Sequence, residues 1–289
     1  MPSLLAVAAA HDVIGVFSQA DRPAGRGLKL RATPVKAAAT GAGLEVATPA
    51  KLDDRLVASV ARLHPEVLLT VSYGKILPGE LLAVPALGAL NVHPSLLPAY
   101  RGAAPIQAAL RDGLTTTGVS IIWMTEKMDA GDIALTQRVA IEPSDDFETL
   151  HQRLAATAAE LIVAALARLS RGSLRRRAQN ETAATYTKPL TRADERLDFE
   201  DARRSVNFVR SLSPRPGAWT ELAGKRVKVL AARAEAGRDA KPGSIVALDG
   251  DGPLISCRSG ALRLLRVVPE GKPPTGGAEF ARYLKTLRT

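Results

Sequence analysis

The chain has 289 residues, enough for two domains of ordinary size, each with its own core. It is 46% hydrophobic and 24% charged, which excludes a disordered chain, and no apolar run reaches the ~18 residues that a membrane span needs. Lysine and arginine outnumber aspartate and glutamate by 39 to 29, a net charge of +10 that suits a polyanionic partner such as nucleic acid.

Met1 to Ala10 is apolar and ends in small residues as a secretion signal does, but it lacks the basic stretch that precedes one and is expected to be a helix. From Asp12 onward short β-branched runs alternate with helical patterns. They are Val13 to Phe17, a helix after Pro34, Leu44 to Ala47, a helix from Leu52 to Leu63, and Val67 to Val71. The alternation continues through Ala89 to His93, a helix from Pro105 to Arg111, and Val119 to Met124. This is the βαβ rhythm of a parallel sheet with helices on both faces. Ile133 to Ile141 follows too closely for a crossover helix and should pair antiparallel with its predecessor. The expected fold is therefore α/β, with a Rossmann-like mixed, mostly parallel sheet. Asp145, with Glu148 three residues on, resembles a capping box, and the apolar positions that follow make a long helix to Leu169.

The first domain is expected to span residues 1–172. Residues 173–191 are polar, basic and aperiodic, which predicts a linker. Residues 192–289 change texture: one helix, Ala202 to Leu212, then short strands at Val227 to Ala231, Ser244 to Leu248, Leu254 to Cys257 and Leu262 to Val267. Short strands broken by glycine and proline suggest a small OB-like β-barrel. Cys257 is the single cysteine, so a disulfide framework and a multi-cysteine zinc site are excluded, and a cytoplasmic home is the simplest expectation.

The strongest local signal is Asn91-Val92-His93-Pro94-Ser95-Leu96-Leu97-Pro98. Alternate residues of a strand share a face, so Asn91 and His93 should project together, at the strand end where open α/β sheets bind ligands. An amide N–H and an imidazole aimed at one point can stabilise the oxyanion formed when a carbonyl is attacked. The two prolines stiffen the following loop and leave backbone groups for a flat heterocycle. A second segment, Lys127-Met128-Asp129-Ala130-Gly131-Asp132-Ile133, lies in the turn between adjacent strands. A carboxylate there could orient His93 and favour its protonated form. Spacing alone does not choose between Asp129 and Asp132, since either can serve as a turn residue.

These two segments, with Arg101-Gly-Ala-Ala-Pro-Ile-Gln between them, resemble the 10-formyltetrahydrofolate-dependent formyltransferases. The resemblance implies Asn91, His93 and Asp129 as the catalytic trio. It implies Ser95, Leu96, Leu97 and Pro98, with Tyr73 and Gly74, as the folate-binding positions, and no metal. Asp21-Arg22-Pro23-Ala24-Gly25-Arg26-Gly27 is similar to the tRNA-contacting loop of the family members that act on methionyl-tRNA. There Arg22, Arg26, Lys29 and Arg31 can pair with phosphates or stack on bases. Ser213-Pro-Arg-Pro-Gly-Ala-Trp219 and Gly224-Lys-Arg-Val-Lys-Val are similar to the C-terminal, tRNA-binding domain of that same branch.

The resemblance implies transfer of the folate formyl group to the α-amine of methionine on initiator tRNA, by a monomeric enzyme with no membrane partner. A sugar N-formyltransferase and a formyltetrahydrofolate hydrolase share the trio and remain alternatives, as does an inactive RNA-binding remnant. Family members carry a first strand and a turn of the type Phe-x-Gly-Thr-Pro ahead of the point where this chain starts. The expectation is that Met1 is a misplaced start; an in-frame stop upstream, with no such stretch, would count against it.

Overall fold

A computed structural model describes residues 1–24, 29–237 and 240–287. The chain forms two compact units: Met1–Ala103, Thr117–Val139 and Gln152–Thr187 make the first, and Ala104–Thr116, Ala140–His151 and Lys188–Thr289 the second.

The first unit opens with helix α1 (Pro2–Ala10), then β1 (Val16–Phe17) and a hairpin of β2 (Arg22–Ala24) and β3 (Lys29–Arg31). Helix α2 (Pro34–Gly41) starts where Thr33 accepts a hydrogen bond from the Lys36 N–H at 3.1 Å and Pro34 takes the first helical position. After β4 (Val46–Ala47), which pairs parallel with β1, α3 (Asp54–Ala61) is capped by Asp53. It buries Leu56 and Val60, which lie four residues apart on one face.

Strand β5 (Leu68–Val71), the single turn α4 (Gly79–Leu82) and β6 (Ala89–His93) follow, then β7 (Arg101–Gly102), α5 (Pro105–Arg111), β8 (Thr116–Trp123) and β9 (Ile133–Ala140). The main sheet has the order β5-β6-β8-β9. Strands β5 and β6 run parallel, with Thr70 beside Asn91 and Val71 beside Val92. The sheet is mixed, as the sequence implies, but one strand direction differs from the βαβ reading. Strand β8 lies antiparallel to β6, with His93 beside Ser120, so the connection between them begins and ends at the same end of the sheet.

Helix α6 (Phe147–Ser170) starts on a reciprocal pair, Asp146 N–H to Thr149 Oγ1 at 2.9 Å and Thr149 N–H to Asp146 Oδ1 at 3.0 Å. The capping box is thus one residue later than Asp145 and Glu148; Asp145 instead accepts from the Glu142 N–H at 2.8 Å. Residues 173–187, within the stretch expected to be a linker, are bonded into the first unit. Arg177 pairs with Ile133 through two backbone bonds of 2.8 and 3.0 Å, and β10 (Tyr186–Thr187) pairs parallel with β7. Backbone pairing of this kind does not need a periodic sequence.

In the second unit, α7 (Ala202–Leu212) is capped by Asp201, which accepts from the Arg204 N–H at 2.8 Å. Its stripe of Ala202, Ser205, Val209 and Leu212 is buried. The strands β11 (Ala218–Leu222), β12 (Lys225–Glu235), β13 (Ile245–Asp249), β14 (Gly252–Ser256) and β15 (Ala261–Pro269) form an antiparallel sheet of order β11-β12-β15-β14-β13, with β16 (Thr275–Gly276) on β15. The β-rich second half is as expected from the sequence. Helix α8 (Gly277–Thr286) is an addition; its cap, Gly276, makes no side-chain hydrogen bond, so no capping signal marks it. Phe280 and Leu284 from α8 join Val209, Leu212, Val229 and Leu264 in one core.

Candidate active site

Strands β5 and β6 leave the sheet at the same end, because they are parallel and paired up to Val71 and Val92. The loops that follow, 72–75 and 94–100, therefore emerge side by side at the carboxyl edge where open α/β sheets hold ligands.

Asn91 is held by its strand neighbour. Thr70 Oγ1 donates to Asn91 Oδ1 at 2.7 Å, and Asn91 Nδ2 donates to Asp129 Oδ1 at 3.3 Å. A carboxylate only accepts, so Asp129 fixes the N–H side of the amide toward itself and leaves the oxygen to the Thr70 hydroxyl. His93, two residues on, is 4% exposed. Its Nδ1 lies 3.4 Å from Asp129 Oδ2 and its Nε2 lies 2.9 Å from the Tyr100 carbonyl oxygen. The structure thus brings Asn91, His93 and Asp129 together. Asp132 does not join them; its carbonyl accepts from the Trp123 N–H at 2.9 Å across the turn between β8 and β9.

Asp129 sits in left-handed backbone, φ 49°, which aspartate tolerates better than most residues. Its carboxylate also accepts the Gly102 N–H at 2.9 Å. Gly102 has φ 105°, and a Cβ there would run into the Thr187 carbonyl; a Cβ on Gly131 would run into the Trp123 carbonyl. Both glycines in these motifs are therefore required by close backbone approach.

Burial is the largest influence on His93 and pushes its pKa below the usual histidine value of 6.5; the Asp129 charge and the Tyr100 carbonyl pull the other way. The sequence suggests a carboxylate that keeps the imidazole charged. Here desolvation wins because the carboxylate contact, at 3.4 Å, is long for a charge-assisted hydrogen bond. Each ring nitrogen faces an oxygen acceptor, so a neutral tautomer satisfies one contact and leaves the other for a group that brings its own donor.

Ser95 is fully buried. Its hydroxyl donates to the Ala99 carbonyl at 2.6 Å, and its own carbonyl accepts from Ser120 Oγ at 2.7 Å. The Leu97 N–H donates to Ser120 Oγ at 3.2 Å. Ser95 and Leu97 thus brace the loop from inside, while Leu96 and Pro98 are half-buried. Tyr73 is half-buried, Gly74 is exposed, and the Tyr73 carbonyl accepts from Gln19 Nε2 at 2.8 Å.

The basic hairpin is a separate feature of the same unit. Arg22 and Arg31 are exposed and stand directly opposite each other on β2 and β3. Like charges placed so are repulsive unless an anion lies between them. Its base is pinned by Ser18 Oγ to Thr33 Oγ1 at 2.5 Å and by Lys36 Nζ to Asp21 at 2.9 Å. Lys29 contributes backbone pairing with Ala24, and Arg26 lies outside the described residues.

Three residues of this neighbourhood carry no sequence signal of their own. Thr70 is identified only through its register with Asn91. Arg101, within a recognisable motif but without a role suggested by its type, is 0% exposed. Gln179 comes from the aperiodic stretch and donates to the Asp129 and Gly131 carbonyls at 2.8 and 2.7 Å.

Residues 5–166 match the family described as formyl transferase, and residues 189–285 the one described as formyl transferase, C-terminal domain. The chain is 40% identical over 279 residues to the methionyl-tRNA formyltransferase of Carboxydothermus hydrogenoformans, covering 96% of this chain and 91% of that protein. It is 43% identical over 282 residues to that of Methylobacterium nodulans, covering 96% and 90%. Among solved structures, the N-formyltransferase of Helicobacter canadensis with folinic acid and dTDP-3-aminofucose superposes with a TM-score of 0.63 at 14% identity, over 91% of this chain and 94% of that one. HypX of Aquifex aeolicus with tetrahydrofolic acid gives 0.64 at 19% identity over 93% of this chain, which spans 47% of HypX. Methionyl-tRNA formyltransferase from Clostridium thermocellum gives 0.53 at 17% identity, over 79% and 96%. At those identities the structural likenesses establish the fold, and the sequence similarity over nearly the whole length establishes the rest: the chain belongs to the methionyl-tRNA formyltransferase family.

Proposed function

We propose that this chain formylates the α-amine of methionine carried by initiator tRNA, with Asn91, His93 and Asp129 as the reacting groups. The observation that carries the reading is the meeting of those three side chains at the carboxyl edge of the parallel pair β5–β6. The similarity to methionyl-tRNA formyltransferases over 96% of the chain supports the choice of acceptor.

When bound, 10-formyltetrahydrofolate supplies the formyl group as a co-substrate. The loops 72–75 and 94–100 suit such a molecule, because they combine a half-buried tyrosine, Leu96 and Pro98 with polar groups at one edge. Asn91 Nδ2 is the donor aimed at the formyl oxygen, which gains negative charge as the amine attacks. His93 provides the second donor by exchanging its Tyr100 contact for that oxygen. The proton released from the attacking nitrogen passes through a water held by the Asp129 carboxylate to the departing folate nitrogen N10, whose bond to the formyl carbon breaks as the bond to the amine is completed.

Arg22 and Arg31 are the positions for the acceptor end of the tRNA, together with Arg26 and Lys29 of the same loop. The chain acts as a monomer in the cytoplasm; among the described residues no helix is long and apolar enough to cross a membrane.

The test is an acceptor panel with labelled 10-formyltetrahydrofolate: charged initiator tRNA, uncharged tRNA, an amino sugar and buffer alone. Label on the charged tRNA alone is the expected result. Preference for the amino sugar would make this a sugar N-formyltransferase, label released as formate in buffer a hydrolase, and RNA binding with no transfer a remnant.

A further inference from the structure

Arg101 is a charged side chain with no access to solvent, 0% exposed, and the mechanism gives it no task. Burying a guanidinium is costly unless all its donors are matched, so its partners reveal what the arrangement is for. Nε and one terminal nitrogen donate to Gln179 Oε1 at 3.2 and 2.9 Å. The terminal nitrogens also reach both oxygens of Glu181, at 2.9 and 2.7 Å, and the Tyr186 hydroxyl at 3.1 Å.

With its oxygen committed to Arg101, Gln179 has a single possible amide orientation. Both of its N–H donors then point to the Asp129 and Gly131 carbonyls, at 2.8 and 2.7 Å. Those two carbonyls bracket the turn that presents the Asp129 carboxylate in left-handed backbone. The next residue after Arg101 completes the grip, since the Gly102 N–H donates to Asp129 Oδ2 at 2.9 Å.

We infer that Gln179 is a positioning residue for the formyl transfer: oriented by Arg101, which Glu181 neutralises, it clamps the turn so that the Asp129 carboxylate stays on Asn91 and His93. The inference rests on the function proposed above. It gives the stretch after α6 a part in the site, beyond joining one half of the chain to the other. The preferred backbone of an aspartate is not left-handed. Without the two amide bonds the turn is free to relax, and the carboxylate moves off the imidazole, lengthening the 3.4 Å contact it now makes.

The experiment uses the full chain with Gln179→Met, which keeps length and loses both donors, and Gln179→Glu, which sets a carboxylate against two carbonyls. Gln179 is half-buried at the surface of the unit, so both variants are expected to fold, and a thermal melt run alongside reports it. Two readouts are taken. The first is steady-state formylation of methionyl-tRNA, where kcat should fall by up to about a hundredfold, as a misplacement of about an ångström can cause, with KM for both substrates held within about twofold. The second is the NMR titration of the four histidines, where the His93 signal should titrate at lower pH in both variants. The groups facing His93 are Asp129, from the turn, and the Tyr100 carbonyl, from the loop after β6; losing the first weakens the attraction for a proton. An unmoved His93 titration overturns the inference, and so does a change confined to KM. A wild-type chain that transfers no formyl group would count against the proposed function, while the titration would still decide the clamp.

Discussion

Thr70 donates to the oxygen of Asn91, and that hydrogen bond holds the amide in the orientation selected by the acceptor-only Asp129 carboxylate on its other side. Thr70→Val keeps the shape of the side chain and removes the donor. The net worth of such a bond, about 1 kcal/mol, converts to a loss of kcat of up to about tenfold, with a melting temperature lower by no more than about 2–4 °C; single-turnover transfer measures it. His93 carries a second consequence. Its pKa is below 6.5 in the folded chain, whereas an unfolded histidine titrates near the ordinary value, so between the two the unfolded chain binds more protons. Stability then rises with pH through that window and is lost as pH falls below about 6.5. Urea midpoints measured from pH 7.5 down to about 5 should show a decline that is shallower in His93→Gln. The residue types of the trio are legible in the sequence because they occur in motifs. The choice of Asp129 over Asp132 comes from the family resemblance and not from spacing, because physically it depends on which residue of one turn adopts φ 49°. Thr70 is hidden for a different reason: its role exists only through a register between strands twenty-one residues apart.

Periodicity and capping residues reach the elements they govern. Strand β6 and helices α5 and α7 have the bounds that their apolar spacing and flanking residues predict. Strand direction is less accessible, since β8 turns antiparallel to β6 through a connection whose local pattern is still strand, helix, strand. Helix α8 and strand β11 follow or contain glycine- and proline-rich stretches, where a breaker signal masks the element beside it. Helix α7 should matter most to the second unit, because Val209 and Leu212 are 1% and 0% exposed in its core. Leu212→Ala is expected to cost about 2–5 kcal/mol, read as a drop in the urea midpoint. Substituting the exposed Arg203 on the opposite face of α7 should change stability by less than about 0.5 kcal/mol.

The whole chain carries a net charge of +10, and the facing Arg22 and Arg31 place part of it on one small hairpin. Charge of that kind sets affinity for a polyanion and its dependence on salt, without specifying the reaction. Arg22→Glu and Arg31→Glu should each weaken tRNA binding and lower the slope of log affinity against log salt by about 1 for every phosphate left unpaired. Filter binding between 50 and 200 mM salt would show it, and an unchanged slope would remove the hairpin from the interface. Whether Asn91 and His93 stabilise the charge developing on a formyl oxygen during transfer to methionyl-tRNA is decided by single-turnover transfer with Asn91→Ala and His93→Ala beside the unaltered chain. Removing one such donor should slow the chemical step by about a hundred- to a thousandfold for Asn91→Ala and at least as much for His93→Ala, with tRNA binding intact. Transfer at an undiminished rate in either variant would show that the substituted side chain does not hold the oxyanion, and the assignment of the site would fall with it.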